Sequence, residues 1–369
     1  MSVAKPRQRV MHIITGLDMG GAETQLAMLA CERRRRGSED VVVSLLKGGA
    51  LRARLEAAGV PVHDLGMRRG LPSPVAFLRL VRLIRRYRPA VVQSWMYHAD
   101  LLATLALRCS GRWYETPLVW GVRCSDMDVR SYSLLFRFVL RVCARLSTMP
   151  NVIVANSESG QRVHLGLGYK PFRWRVIDNG VDTERYHPDD EQRSAVRREL
   201  GIPPAAPVVV HVARVDPMKD HETMLAALRT LPDVHAIFIG TGTEALPAGA
   251  TWYRLGRRSD IAALLPAADM ILSSSAYGEG FSNALAEGMA SGLPAVATDV
   301  GDSGRVVGKA GHLVPARDPA ALAAAIHAVA VLPLTDRAAL KIDARARMVD
   351  LFSVALCADQ YEQLYVSLG

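Results

Sequence analysis

Gly278-Glu279-Gly280-Phe281-Ser282-Asn283-Ala284-Leu285-Ala286-Glu287-Gly288, followed by Met289-Ala290-Ser291-Gly292-Leu293-Pro294, is the stretch whose reading decides the fold. Strand-forming and small residues at 270–275 lead into it, and residues 282–290 read as the first turns of a helix. A strand, a tight glycine-rich loop and a helix N-terminus thus follow one another. That order leaves backbone N–H groups at the positive end of a helix dipole, where a phosphate can sit. Glu279 lies in the loop, and Glu287 lies about two turns along the helix. Carboxylates beside a phosphate seat repel it unless they face hydroxyls. Both therefore read as sugar ligands, Glu287 for a ribose diol and Glu279 for a hexose.

The same order of elements recurs on both sides of this stretch. Upstream, residues 208–212 form a core strand, followed by the loop Ala213-Arg214-Val215-Asp216-Pro217-Met218-Lys219-Asp220-His221 and a helix over 222–228. Arg214 and Lys219 there are either ordinary loop charges or a guanidinium fork and an ammonium that reach phosphate oxygens. A strand over 234–240 ends in Gly240-Thr241-Gly242, and Leu255-Gly256-Arg257-Arg258 precedes another helix. Downstream come a strand at 295–298, a loop at 299–304 and a helix at 318–329 with an aspartate N-cap followed by proline.

The first half opens with a strand over 9–15, then Gly16-Leu17-Asp18-Met19-Gly20-Gly21-Ala22-Glu23 and a helix over 23–36. Gly20 and Gly21 admit two readings, a turn needing positive φ or a bare backbone that a ligand approaches closely. The run Arg33 to Arg36 reads as a solvated helix end that complements the dipole. A strand at 90–93 ends in Ser94-Trp95-Met96-Tyr97-His98-Ala99-Asp100, with helix continuing over 101–109. His98 therefore lies just past a strand's C-terminal edge, where ligands bind in open α/β sheets, although a lone histidine is usually structural. Two amphipathic helices, 74–88 and 133–147, carry arginines, a pattern of solvated surface or of a face resting on anionic lipid. Arg123 and the Asp126-Met127-Asp128 run fit acceptor contact or a plain loop better than a metal clamp.

Alternating strands and helices through 369 residues, half of them hydrophobic, predict two α/β domains with parallel sheets. Dense turn formers at Asp178-Asn179-Gly180-Val181-Asp182 set the expected boundary. Residues 1–178 form the first domain and 179–349 the second, with a final helix at 350–369 returning to the first. Five widely spaced cysteines without a C-x-x-C pair argue against disulfides and structural zinc and for a cytoplasmic chain. No run of about 18 uncharged apolar residues is present to span a membrane, and the apolar run at 10–14 is too short for a signal peptide. Residues 1–180 carry 28 Lys+Arg against 13 Asp+Glu, a net of +15, while the rest carry a net of −6. The first half should thus be drawn to phosphates, anionic lipid or nucleic acid.

Two glutamates with seven residues between them, the following Ser-Gly-Leu-Pro and the later Thr298-Asp299-Val300-Gly301 resemble the C-terminal signature of retaining GT-B nucleotide-sugar glycosyltransferases of family 4. The resemblance spans nearly the whole chain and is weakest around 111–132 and 242–253. It implies a GT-B fold, two Rossmann-like domains facing each other across a cleft. The second domain would hold a UDP- or GDP-linked hexose and the first a glycan or polyprenyl-diphosphate-linked acceptor of cell-surface polysaccharide synthesis. Arg214 and Lys219 would hold the donor diphosphate, together with Gly280, Phe281, Ser282, Asn283 and Ala284. Gly20 and Gly21 would admit the diphosphate or its sugar, and Gly256 and Arg257 would meet the base. His98 would face the donor sugar, and Glu279 would bind its hydroxyls. No cofactor or divalent metal is expected. Departures are small: Ser291 stands where many relatives have cysteine, and the Gly240 turn lacks a proline. A non-hydrolysing sugar-nucleotide epimerase of related fold is the alternative. A phosphorylase lacks a lysine in a pyridoxal-phosphate context, and a nucleic-acid-binding module lacks a recognition helix or interleaved aromatics.

Overall fold

A computed structural model of the chain describes residues 8–68, 73–125 and 132–369. These fall into two compact units, one holding the described residues up to Gly180 with Val354–Gly369, the other Val181–Ser353. The switch of chain between units thus comes at 180/181, and the return at 353/354 rather than at 350. The break at Ser353 separates a long helix of the second unit from the final helix, where the sequence reading placed a single final helix over 350–369.

In the first unit, β1 (Val10–Ile14), β2 (Val41–Leu46), β3 (Val62–Met67), β4 (Val91–Trp95), β5 (Leu118–Val122), β6 (Val152–Ala155) and β7 (Trp174–Val176) form one sheet in the order β3-β2-β1-β4-β5-β6-β7. Every neighbouring pair is parallel. Helices α1 (Gly21–Arg35), α2 (Arg52–Ala57), α3 (Pro74–Tyr87), α4 (Tyr97–Cys109), α5 (Leu134–Leu146) and α6 (Glu158–Gly166) supply the crossovers. Central strands are buried on both faces, which is why they read as continuous apolar runs. One face packs Val10, Ile14, Val42 and Trp95 against α1 and the chain's last helix; the other packs Ile13, Val43 and Val92 against α3, α4 and α5.

The second unit repeats the plan. Its helices are α7 (Asp190–Leu200), α8 (His221–Arg229), α9 (Ile261–Leu264), α10 (Asn283–Ala290), α11 (Ser303–Val307), α12 (Pro319–Ala330) and α13 (Leu334–Phe352). Its strands β8 (Val208–Val212), β9 (His235–Ile239), β10 (Trp252–Arg254), β11 (Met270–Ser273), β12 (Ala295–Thr298) and β13 (Gly311–Val314) run parallel in the order β10-β9-β8-β11-β12-β13. Gly288 is needed for packing, since a Cβ there would sit 2.7 Å from the Ile271 side chain and push α10 off β11. Among the described residues no single helix is long and apolar enough to cross a membrane; α12 and α13 meet both conditions only as a pair, and that pair is bent by 110°.

The arginine run at 33–36 is a solvated helix end only in part: Arg34 and Arg35 are exposed, whereas Arg33 and Arg36 are covered. Arg33 is buried and donates to both Asp40 oxygens at 2.7 and 3.2 Å and to the Gln8 carbonyl at 3.0 Å, and it pairs with Glu362. Its guanidinium also lies over the Tyr365 ring at 4.9 Å. Arg36 pairs with Glu32 and reaches Asp359 and the Ala355 carbonyl. Both tie the final helix, α14 (Val354–Val366), to α1. Periodicity could not reveal this, because the partners lie more than 300 residues along the chain.

Candidate active site

In a parallel sheet, ligands bind beyond the carboxyl ends of strands at the point where strand order reverses. In the second unit that point lies between β8 and β11, and the loops after these two strands carry Arg214, Lys219 and Glu279.

These loops are joined by backbone and side-chain bonds. Ala276 N donates to Met218 O at 2.9 Å, and Ser274 Oγ donates to Lys219 O at 2.8 Å. Lys219 ends a short 3₁₀ turn, Pro217–Lys219, that Asp216 caps by accepting from Met218 N at 2.9 Å. The Lys219 ammonium pairs with Glu279 Oε1, and Ser275 Oγ donates to that same oxygen at 2.6 Å. Thr298 Oγ1 in turn holds the Ser275 carbonyl at 2.6 Å. Glu279 is buried, whereas Arg214, 62% exposed at its side chain, donates to Asp216 at 3.0 Å.

Gly278 turns the loop at φ +80°, and Gly301, at φ +61°, lies directly on the Glu279 carbonyl. A Cβ at Gly301 would collide with that oxygen. Ser282 takes the N-cap of α10 without a side-chain capping bond, and Asn283 and Ala284 open the helix, partly exposed. Phe281 does not face this corner: its ring is buried against Phe352 at 5.3 Å between centroids, so only its backbone remains for a ligand.

Glu287, further along α10, has its carboxyl pushed up to about 7 by burial, opposed by a hydrogen bond from Tyr186 and the charge of Arg185. Arg345 ties both sides of this pair, donating to Tyr186 O at 3.0 Å and to Ala290 O at 2.6 Å. At the ends of β9 and β10, Gly240 at φ +144° abuts the Ala213 carbonyl and donates its N–H to Gly256 O at 2.8 Å. Gly256 is buried, with its N–H on Thr243 Oγ1 at 3.1 Å, and Arg257 is exposed beside it.

In the first unit the strand order reverses between β1 and β4, and the loops there carry Gly20, Gly21 and His98. Neither glycine has positive φ, so the turn does not require them; Gly20 is the extended N-cap of α1, and a Cβ on it would meet the Glu23 carboxylate. His98 lies within α4, which starts four residues earlier than periodicity suggested, 5.9 Å from the Phe136 ring. Burial lowers its pKa, which keeps the imidazole neutral at pH 7.

Arg123 is engaged within its own unit. It bonds Asn179 and, at 2.8 Å, the Tyr361 hydroxyl, and it stacks over Trp95 at 4.3 Å. Any acceptor contact by Arg123 would have to displace these partners. Asp126 lies outside the described residues. Among the described residues no group of three or more His, Cys, Asp or Glu could hold a metal ion. Sequence reasoning missed Ser275 and Tyr186. The serine run at 273–275 was a usable signal for the first; Tyr186 had none, since only folding brings it to Glu287.

Residues 19–185 match the family described as Glycosyltransferase Family 4, and residues 206–330 match Glycosyl transferases group 1. D-inositol 3-phosphate glycosyltransferase 2 of Catenulispora acidiphila is 30% identical over 241 residues, 57% of this chain and 56% of that protein. The D-inositol 3-phosphate glycosyltransferase of Geodermatophilus obscurus is 36% identical over 210 residues, 48% of this chain and 45% of its own. The chain spans about half the length of the curated relatives it matches. Among solved structures, Anabaena Alr3699/HepE in complex with UDP and glucose superposes with a TM-score of 0.82 at 23% identity, covering 98% of this chain and all of that one. Sucrose-phosphate synthase from Thermosynechococcus elongatus does so at 0.75 and 19%, covering 98% and 99%.

Proposed function

Because the chain belongs to the glycosyltransferases of family 4 and group 1, we propose that it moves a hexose-type sugar from a nucleoside-diphosphate sugar to a glycan or lipid-linked acceptor, retaining the anomeric configuration and needing no divalent metal. The observation that carries this reading is the meeting of Lys219 and Glu279 at the switch point of the second sheet, beside the N-terminus of α10. The leaving group is a nucleoside diphosphate, so the barrier falls as its growing negative charge is stabilised. Lys219, Arg214 and the first-turn N–H groups of α10 are the donors for that charge. Exposed Arg214 exchanges Asp216 for a phosphate oxygen at little cost. Glu279 then accepts from sugar hydroxyls and Glu287 from the ribose diol. A leaving-phosphate oxygen takes the acceptor proton, and neutral His98 hydrogen-bonds rather than attacks. UDP in the HepE complexes and the UDP-glucose of a second HepE structure favour uridine as the base.

The test is a panel of UDP-, GDP- and ADP-sugars scored by diphosphate release with and without acceptor. Release that depends on acceptor supports transfer. Interconversion of the donor without acceptor would favour the epimerase. The relatives' name supplies one acceptor arm, inositol 3-phosphate, and a polyprenyl-diphosphate sugar supplies the other; both are anionic, as the +15 of residues 1–180 favours.

The reading extends to a peripheral contact with the cytoplasmic face of a membrane. Helices α3, α4 and α5 form one layer, and the first turns of α3 and α5 expose Val75, Leu78, Leu134 and Phe138, the last two 79% and 60%. These ends stand at the same carboxyl edge of the sheet as His98. Exposed Arg79, Arg82, Arg141 and Arg145 follow along the same helices. Apolar tips backed by arginines suit an anionic bilayer, each basic residue adding about 1 kcal/mol near its surface. Co-sedimentation with phosphatidylglycerol-containing vesicles, lost in pure phosphatidylcholine and in Leu134→Asp/Phe138→Asp, checks it; equal binding to both vesicles would refute it.

A further inference from the structure

Met96 sits at φ 72°, ψ 159°, a region that residues with a Cβ occupy only under strain. The reason is a reversal of side-chain phase. Along β4, Val91 and Trp95 face the core layer that holds Tyr361, and Val92 faces the layer that holds Leu80 and Val139. Alternation would carry Tyr97 to the side of Trp95. Instead Tyr97 is buried in the opposite layer, its hydroxyl 2.9 Å from His164 Nε2 and its carbonyl accepting from Cys143 Sγ at 3.4 Å. The whole reversal falls on one residue, Met96.

Bonds from below hold that residue in place. Met96 N donates to Gly121 O at 2.9 Å, and Asp100 N donates to Met96 O at 2.9 Å. The fully buried Asp100 carboxyl accepts from Ser94 Oγ at 2.6 Å, so strand end and first helical turn are cross-linked on both sides of the strained peptide. Trp95, immediately before it, is anchored by its Nε1 on His12 Nδ1 at 3.3 Å. With Trp95 fixed to one layer and Tyr97 to the other, the next side chain, His98, has its direction set.

We infer that the Met96 backbone is a positioning element for His98: its forced conformation reverses the phase between β4 and α4 and aims the imidazole along the carboxyl edge of the sheet. A glycine in its place would be relieved of strain yet free to sample the mirror half of conformational space, so the turn would lose its fixed setting. Alanine keeps the Cβ and with it the restriction. This inference rests on the proposed role of His98, and its first test does not use substrate.

Histidine-labelled full-length chain is titrated by NMR, with the His98 resonance assigned by its loss in His98→Gln. In the wild type the His98 pKa lies below 6.5 because the ring is partly buried. Met96→Gly is expected to move it toward 6.5 and to broaden the signal, with the melting temperature little changed; Met96→Ala is expected to leave it in place. A His98 titration unchanged in Met96→Gly, or shifted equally in Met96→Ala, overturns the inference. In the second arm, turnover of the nucleotide sugar selected by the donor panel falls about tenfold in Met96→Gly at unchanged KM for donor and stays within twofold in Met96→Ala. If His98→Ala turns over normally, the reading of His98 fails; if His98→Ala is impaired and Met96→Gly is not, only the inference fails.

Discussion

Ser275 Oγ donates a 2.6 Å hydrogen bond to Glu279 Oε1, the same oxygen that pairs with the Lys219 ammonium. One oxygen of a buried carboxylate is thereby fixed from two elements of the sheet at once. Lys219→Ala, Glu279→Ala and Arg214→Ala are each expected to lower turnover by at least ~10²-fold through lost charge stabilisation and positioning. Ser275→Ala, which leaves the ion pair, should cost about tenfold. Near-normal rates in the first three would remove the site from this corner.

Lys219→Ala should also destabilise the second unit, because it leaves buried Glu279 with fewer partners, by about 1–3 kcal/mol. Lys219→Ala/Glu279→Gln should recover part of that loss. Urea unfolding of the two variants measures it, and equal stability of the single and double variants would speak against a buried pair.

Glu287 gives stability a pH dependence. Its folded pKa, about 7, lies above the ordinary 4.5, so the native state binds the extra proton between these values. The contribution is complete below about 4.5 and is lost as pH rises through about 7, an effect of at most about 3 kcal/mol. Glu287→Gln should flatten the decline of melting temperature between pH 5 and 8.5. Donor binding should run the other way, because a ribose diol needs the ionised carboxylate. Affinity for UDP should fall up to ~10-fold more from pH 8 to 5.5 in the wild type than in Glu287→Gln.

Gly301→Ala places a Cβ on the Glu279 carbonyl at a positive φ. The loop must shift, so turnover should drop at least ~10-fold while far-UV circular dichroism stays native, since a misplacement of about 1 Å is enough to cost that much. A fully active variant would mean that the carbonyl's position is irrelevant.

Arg33→Met removes from buried Asp40 the guanidinium that bonds both its oxygens. Asp40 is held at about 2 in the fold, where hydrogen bonds and charges from His12 and Arg33 outweigh its burial. A loss of about 3–5 kcal/mol is expected, with faster proteolytic release of residues after 353. Limited proteolysis followed by mass spectrometry reads this directly.

Much of the architecture was legible because it follows local rules. Buried parallel strands must be apolar along their length, and a strand followed by glycines and a helix start announces a carboxyl-edge loop. Glu279, Lys219, Arg214 and His98 were singled out as candidates that way, each by its place after a strand. Arg33 and Arg36 were misjudged for the opposite reason: a helix end looks solvated until a distant segment covers it. Arg123 was similarly placed at an edge by its strand, though its partners Asn179 and Tyr361 come from elsewhere.

By itself the sequence determined two α/β units, the order of their elements and which side chains stand at the carboxyl edges, because strand and helix periods and turn chemistry are written within a few residues. Only the tertiary structure decided which of those side chains meet. The Lys219–Glu279 pair, Tyr186 against Glu287, Arg33 under α14 and the reversal at Met96 each depend on strand order and on crossovers, which bring together groups that no local pattern connects.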